Sequence, residues 1–394
     1  MIAARLLDVL IVLLLLVYLG EGFRNGFVRS ISAVLGVIAG GAAAFFLIPV
    51  IASIVPDPFW RTFLIVAISV ALLLFGYGIG RTAGRAVRGR QGERSPGVID
   101  RLLGAVVNLV IAAIVVALIA GSVGSLGVPL LSKAVSDSIV LRVIDGATPE
   151  PLKAALDRLR GAVLAQGLPV LPDVGGVTAP PTAPSVPTDT QSLAIAAQSV
   201  VRINGTAYAC GQNQSGSGFV IARNRVITNA HVVAGVGQPV VEAPNGQTIE
   251  ASIVYFDPED DLAVLAVNGL GAAPLPVGGT LQTGSSAVVD GYPYGGPFTT
   301  GSAQVLAVTS SSVADIYNKQ KTIREIYSLA ADVQPGNSGG PLLSTDGRIA
   351  GIVFARSATQ SNLGYAMTDA ELQPVIAKAP TLSAPVSSGA CVRG

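Results

Sequence analysis

Four long apolar stretches crowd the first third of the chain: about Ile2 to Gly20, Phe27 to Val55, Thr62 to Gly80 and Leu102 to Leu131. Each is long enough to cross a hydrocarbon core of ~30 Å as an α-helix. The whole chain is 50% hydrophobic and only 12% charged, and the excess sits in these stretches. The first has the length of a signal peptide. It lacks a small-x-small cleavage site, carries Asp8 and is followed by three more spans, so it is expected to be retained. The expectation is a four-helix transmembrane domain over residues 1–132, held in the lipid bilayer through four spans.

Orientation follows from the basic loops. Arg81, Arg85, Arg88, Arg90, Arg94 and Arg101 make one connection strongly positive, which keeps it cytoplasmic. The loop with Arg24 and Arg29 then lies on the same side and Pro56-Asp57-Pro58 on the other. An even number of spans exports everything after them, giving a multi-pass inner-membrane protein with a periplasmic C-terminal domain. Gly36/Gly40, Gly76/Gly80 and Gly80/Gly84 are small residues four apart, the spacing that lets helices approach closely in lipid. Self-association through those faces is one reading; a chain with 46 glycines offers the bland one.

Residues 133–191 read as a connector. Thr148-Pro149-Glu150-Pro151 opens a helical stretch to about Gln166, with Leu152, Leu156 and Leu159 on one face. Leu168 to Thr190 is rich in Pro, Thr, Val and Ala and has nothing to pack, which reads as an extended tether. Cys210 and Cys391, the only cysteines, both fall on the exported side, where two thiols are expected to pair. Two free thiols are the alternative.

Chemistry concentrates in residues 192–394. His231, the only histidine, stands in Thr228-Asn229-Ala230-His231-Val232-Val233. Asp261 precedes the apolar run Leu262-Ala263-Val264-Leu265, and Ser338 lies in Gly336-Asn337-Ser338-Gly339-Gly340-Pro341. A serine is a poor nucleophile at neutral pH. It needs a base within hydrogen-bond reach and a carboxylate that fixes the base's tautomer. Asp260 and Asp261 are adjacent. Neighbouring side chains on a strand face opposite ways, so only one of the two meets His231. Asp261 is the choice, with Asp260 a solvated turn residue.

These three boxes, in this order, resemble the trypsin-like serine proteases, above all the bacterial periplasmic type, over about Ser192 to Cys391. The resemblance implies an all-β chymotrypsin-like double β-barrel, catalysis by His231, Asp261 and Ser338, and an oxyanion hole from the N–H groups of Gly336 and Ser338. Asn337 replaces the aspartate that digestive relatives use to hold a liberated N-terminus, so that zymogen switch is expected to be absent. Asp332, six residues before Ser338, matches the base of the family's S1 pocket or caps a loop. The strand Gly351–Arg356 is expected to wall the substrate cleft, where Phe354, Ala355 and Arg356 shape S1 or simply pack. At the other end, Asp8-Val9-Leu10 and Gly22-Phe23-Arg24-Asn25-Gly26-Phe27 resemble the start of the colicin V production protein family. The combination resembles the actinobacterial membrane-anchored serine proteases of the acid-resistance (MarP) type. It implies an endopeptidase of exported proteins or peptides in envelope or acid stress.

Short apolar runs such as Val200-Val201-Arg202-Ile203, Phe219-Val220-Ile221 and Ile349–Phe354, parted by Gly, Asn and Asp, fit a β-rich domain. One histidine and two distant cysteines leave no metal site, no cofactor is expected, and a net charge of +1 leaves no nucleic-acid footprint. Two other classes fit less of the chain. One is a membrane scaffold whose protease-like domain only binds peptides; the other is a transporter-like protein that this domain regulates. Reaction of Ser338 with a fluorophosphonate separates the first from an enzyme. Activity without the spans separates the second.

Overall fold

The structure is a computed structural model that describes residues 2–54, 58–89, 97–124, 134–135, 137–149, 152, 168–174, 176–177, 185–207 and 212–392. The chain divides into two compact units, one of residues Asp8–Ala117 and one of Met1–Leu7 with Leu118–Gly394.

The first unit is helical: α1 (Ile2–Ile54), α2 (Pro58–Gly89) and α3 (Val98–Gly124). α1 is interrupted at Gly26, whose φ of 75° and ψ of 173° are not helical and which only glycine adopts without strain. The break separates the first two apolar stretches. The helix restarts at Phe27, whose N–H donates to Asp100 Oδ1 at 3.1 Å. A carboxylate at a helix start satisfies an orphan donor and meets the positive end of the helix dipole.

Glycines let these helices touch backbone to backbone. A Cβ on Gly36 would lie 2.1 Å from Gly76 O, one on Gly80 2.2 Å from Ser32 O, and one on Gly22 2.3 Å from Gly104 O. The faces offered above for self-association are therefore occupied inside one chain. Two stretches, Ala3–Ala44 and Val98–Ala120, are long and apolar enough to cross a membrane among the described residues. The loop at 55–57 and residues 90–96 of the basic connection lie outside the described residues, while Arg81, Arg85 and Arg88 lie on the last turns of α2 rather than in a loop.

The second unit is built on two seven-stranded sheets. One contains β2 (Val200–Ala207), β3 (Gln212–Ala222), β4 (Arg225–Thr228), β5 (Val240–Glu242), β6 (Thr248–Glu250), β7 (Ser252–Asp257) and β8 (Leu262–Ala266), in the order β6-β5-β2-β3-β4-β8-β7. The other contains β1 (Val170–Leu171), β9 (Ser286–Gly291), β10 (Thr299–Ala314), β11 (Lys321–Ala330), β12 (Pro341–Ser344), β13 (Ile349–Ser357) and β14 (Leu363–Thr368), in the order β1-β13-β12-β9-β10-β11-β14. A further β13–β14 pairing closes this second sheet into a β-barrel of the chymotrypsin-like kind. The first ladder ends at β6 and β7 with no closing pair among the described residues.

Successive residues enter different cores. Val201, Ile203 and Leu265 fill the first sheet, while Val289, Val305 and Val353 fill the second. Their neighbours Val200, Val264 and Phe354 join a third cluster with Phe219, Ile326 and Tyr365. Strands with both faces covered read as continuous apolar runs, which is how these appear in the sequence.

The connector differs from its expectation. Helix forms at Ile139–Ala147, with Ser138 Oγ accepting from Leu141 N–H at 3.1 Å. Leu156 and Leu159, assigned to a later helix, lie outside the described residues. Leu168–Val174, expected to pack on nothing, is docked: Leu168 is buried and β1 pairs in parallel with β13. Val186 is buried too. Apolar side chains scattered among prolines found a surface to cover.

Candidate active site

β4 ends at Thr228, and Asn229 in extended conformation starts the short helix Ala230–Val233. Both polar residues before the histidine are buried and bonded. Thr228 Oγ1 donates to Ser217 O at 2.7 Å, and Asn229 Nδ2 donates to Asp261 O at 3.0 Å. His231 meets Asp261 twice. Its backbone N–H donates to Oδ1 at 2.9 Å, and its ring Nδ1 lies 2.8 Å from Oδ2 and 3.0 Å from Oδ1. A carboxylate only accepts, so Nδ1 carries the proton and Nε2 presents its lone pair.

Asp261 has φ of 53°, in the left-handed region that Asp and Asn enter more readily than most residues. The two aspartates occupy a turn before β8 rather than a strand, so the turn's dihedral, and not strand alternation, aims Asp261 inward. Asp260 points away, 3.8 Å from Arg324 Nε. Burial first, and Asp257 beside it, raise its carboxyl above the usual range, with Arg324 opposing. Buried Arg324 also donates to the carbonyls of Glu259 and Ala314, which fixes this turn.

The nucleophile candidate sits after a tight turn. Asn337 N–H donates to Gln334 O at 3.0 Å, with Pro335 and Gly336 in between. Gly336 has φ of 95°. Proline followed by a positive-φ glycine is the signature of a type II turn. Asn337 Oδ1 accepts from Gln334 N–H at 3.0 Å, so the residue in the place of the digestive enzymes' aspartate closes its own loop. Pro335 O accepts from Tyr294 N–H at 2.5 Å. With that carbonyl turned to Tyr294, the N–H of Gly336 in the same peptide faces away from Tyr294.

Residues that sequence reasoning passed over hold this turn from behind. Ser217 Oγ donates to Gly336 O at 2.7 Å and accepts from Tyr292 N–H at 2.9 Å, while Ser217 N–H donates to Ser338 O at 2.8 Å. Arg202 donates to Gly295 O at 2.6 Å, lies over the Tyr292 ring and pairs with Glu242. The signal for Ser217 was the pair of glycines around it, Gly216 and Gly218. A Cβ on Gly216 would lie 2.6 Å from Val232 Cγ1 and 3.1 Å from Ser338 O. The histidine helix and the serine loop therefore lean on the same residue of β3. Ser338 Oγ and His231 Nε2 are both buried and neither is hydrogen-bonded.

The other expected residues are spread out. Asp332 is exposed and accepts from Gln334 Nε2. Phe354 and Ala355 are buried in the core, and Arg356 is half-buried with its N–H donated to Pro169 O. Cys210 lies outside the described residues. A Cβ on Gly235, just past the histidine helix, would lie 2.7 Å from Cys391 Sγ.

Residues 216–352 match the model of the trypsin-like peptidase domain, and residues 7–149 match that of the colicin V production protein. Serine protease Rv3671c of Mycobacterium tuberculosis is 35% identical over 398 residues, covering 100% of both chains. The chain belongs to the family of that serine protease. It is a serine endopeptidase. The crystal structure of the Rv3671c protease in its active form, 37% identical, covers 57% of this chain and 100% of its own with a TM-score of 0.53. Serine protease Do-like HtrB of Bacillus subtilis is 32% identical over 158 residues, 38% of this chain and 34% of its own.

Proposed function

We propose that the protein hydrolyses peptide bonds of exported proteins outside the cytoplasmic membrane, in envelope or acid stress, through His231, Asp261 and Ser338. The buried His231–Asp261 pair, with Nε2 left free in the same unit as Ser338, carries this reading. Ser338 Oγ attacks the scissile carbonyl carbon and its proton passes to Nε2. The oxyanion is met by the N–H groups of Gly336 and Ser338. The C–N bond breaks, the proton moves from Nε2 to the leaving amine, and water then releases the acyl group by the same steps. Hydrogen bonds of this kind are often long in a resting site and tighten with substrate.

Residues 1–132 act as a four-span anchor, 133–191 as the connector and 192–394 as the protease domain, with its first sheet, open between β6 and β7, in the place of the other barrel. A stretch of 42 residues from Ala3 to Ala44 would run ~63 Å as a straight helix, twice a ~30 Å hydrocarbon core, and it breaks at Gly26. Two spans there, one in α2 and one in α3 make four, which supports export of the protease domain. A Cys210–Cys391 bridge would then tie the C-terminal tail beside the loop that follows His231. Exposure of Asp332 and burial of Phe354 and Ala355 favour recognition along the β13 backbone over a charged S1 base. The test is added protease on intact cells combined with a non-reduced peptide map. Cleavage of residues 192–394 from outside and a linked Cys210–Cys391 peptide are expected. A protected domain or alkylatable thiols would overturn the corresponding assignment.

A further inference from the structure

β13 pairs with β12 only as far as Ile352, and beyond it passes the nucleophile loop with that side free of β12. Gly339 N–H donates to Val353 O and Val353 N–H to Gly340 O, each at 2.9 Å, on the side of β13 opposite β14. Farther along this edge, Arg356 N–H donates to Pro169 O at 3.1 Å and Ala358 N–H donates to Leu171 O at 2.9 Å. The edge next to Ser338 is where an extended peptide would add as a strand, and the connector already occupies its outer part.

The occupant is anchored at both ends. Leu168 is buried in the cluster that contains Val333 and Val353. Asp173 accepts from Ser357 Oγ at 2.5 Å, Thr359 Oγ1 at 2.8 Å and Gln360 Nε2 at 2.9 Å. Val174 N–H donates to Tyr365 Oη and its carbonyl accepts from Ser328 Oγ, both at 3.1 Å. Pro169–Leu171, between the anchors, lies on the edge itself.

We propose that Leu168–Val174 is a specificity-determining strap: it holds the outer β13 backbone sites, so a substrate long enough to reach Arg356 must displace it, whereas a short one binds freely. This rests on Ser338 being the nucleophile. Three hydrogen bonds, from Ser357 first and then Gln360 and Thr359, hold the Asp173 carboxyl below the usual range. Mild acid therefore leaves the anchor charged, and release falls to the competing peptide.

The test uses the full chain in detergent and peptides sharing one scissile bond, lengthened stepwise toward either end. Two variants are compared with the wild type: residues 168–174 replaced by a Gly-Ser segment of equal length, and Asp173→Ala. Fluorophosphonate labelling of Ser338 reports an intact site in each. In the wild type, lengthening should bring little gain in kcat/KM. In the variants, lengthening in one direction should raise it by about tenfold, the order expected when hydrogen bonds that compete for the edge are removed, with the shortest peptide unchanged. The same length dependence in all three labelled proteins would overturn the strap. Loss of labelling in the wild type would instead remove the nucleophile.

Discussion

Asp290 stands fully buried in β9, paired across the sheet with Thr300 of β10 and two residues before Tyr292. Burial pushes its carboxyl up to about 6, and neither carboxylate oxygen has a hydrogen-bond partner among the described residues. Because the folded value lies above the unfolded one, the folded protein keeps this proton longer. Below about pH 4 both states hold it and the group costs nothing. As pH rises toward 6 the unfolded chain ionises first, and stability falls by about 3 kcal/mol before levelling off. Asp290→Asn should remove that fall. Urea midpoints at pH 4.5 and 7.5 check it: the variant should gain on the wild type at the higher pH, and an equal difference at both would contradict the assignment. At this scale the His231–Asp261 pairing was legible, and Ser338 could be named as the candidate nucleophile, because the proposed chemistry needs particular residue types in particular contexts. Ser217, Asn229 and Arg202 were not, since serine, asparagine and arginine serve many roles and their partners lie far along the chain.

Among the elements, the Gln334–Asn337 turn carries the most of the proposed chemistry in the fewest residues. A Cβ on Gly336 would lie 2.4 Å from Tyr292 O and 2.7 Å from Tyr294 N, and the φ of 95° already disfavours any side chain. Gly336→Ala should therefore move the N–H off its aim. Losing one oxyanion donor costs about 10²–10³ in kcat, with KM nearly unchanged and the domain still folded. A variant whose kcat stays within threefold of the wild type would show that this N–H has no part in the reaction. Strands were legible as apolar runs parted by turn residues, and the Pro335-Gly336 pair announces its turn. The docking of Leu168–Val174 was hidden because a short proline-rich segment has no periodicity. Its stability comes from Val333, Val353, Ser357 and Tyr365, and no local pattern reports partners so distant in sequence. The break at Gly26 is similar: one glycine among many, singled out by Asp100 from another helix.

At the scale of the molecule, a helical, colicin V production protein-like region and a trypsin-like protease lie in one chain, and the match to the Rv3671c relative runs the whole length of both. The halves were separable by composition alone, because apolar helices for lipid and a β-rich catalytic unit draw on different residues. The helix count was less legible, because the first two apolar stretches run into one element, α1, broken only at Gly26. The central claim, that peptide hydrolysis runs through Ser338 activated by His231, is tested most directly by kcat/KM of the full chain carrying Ser338→Ala, with folding checked by circular dichroism. A fall of about 10⁴-fold or more in a folded protein is the predicted result; turnover within tenfold of the wild type would contradict it.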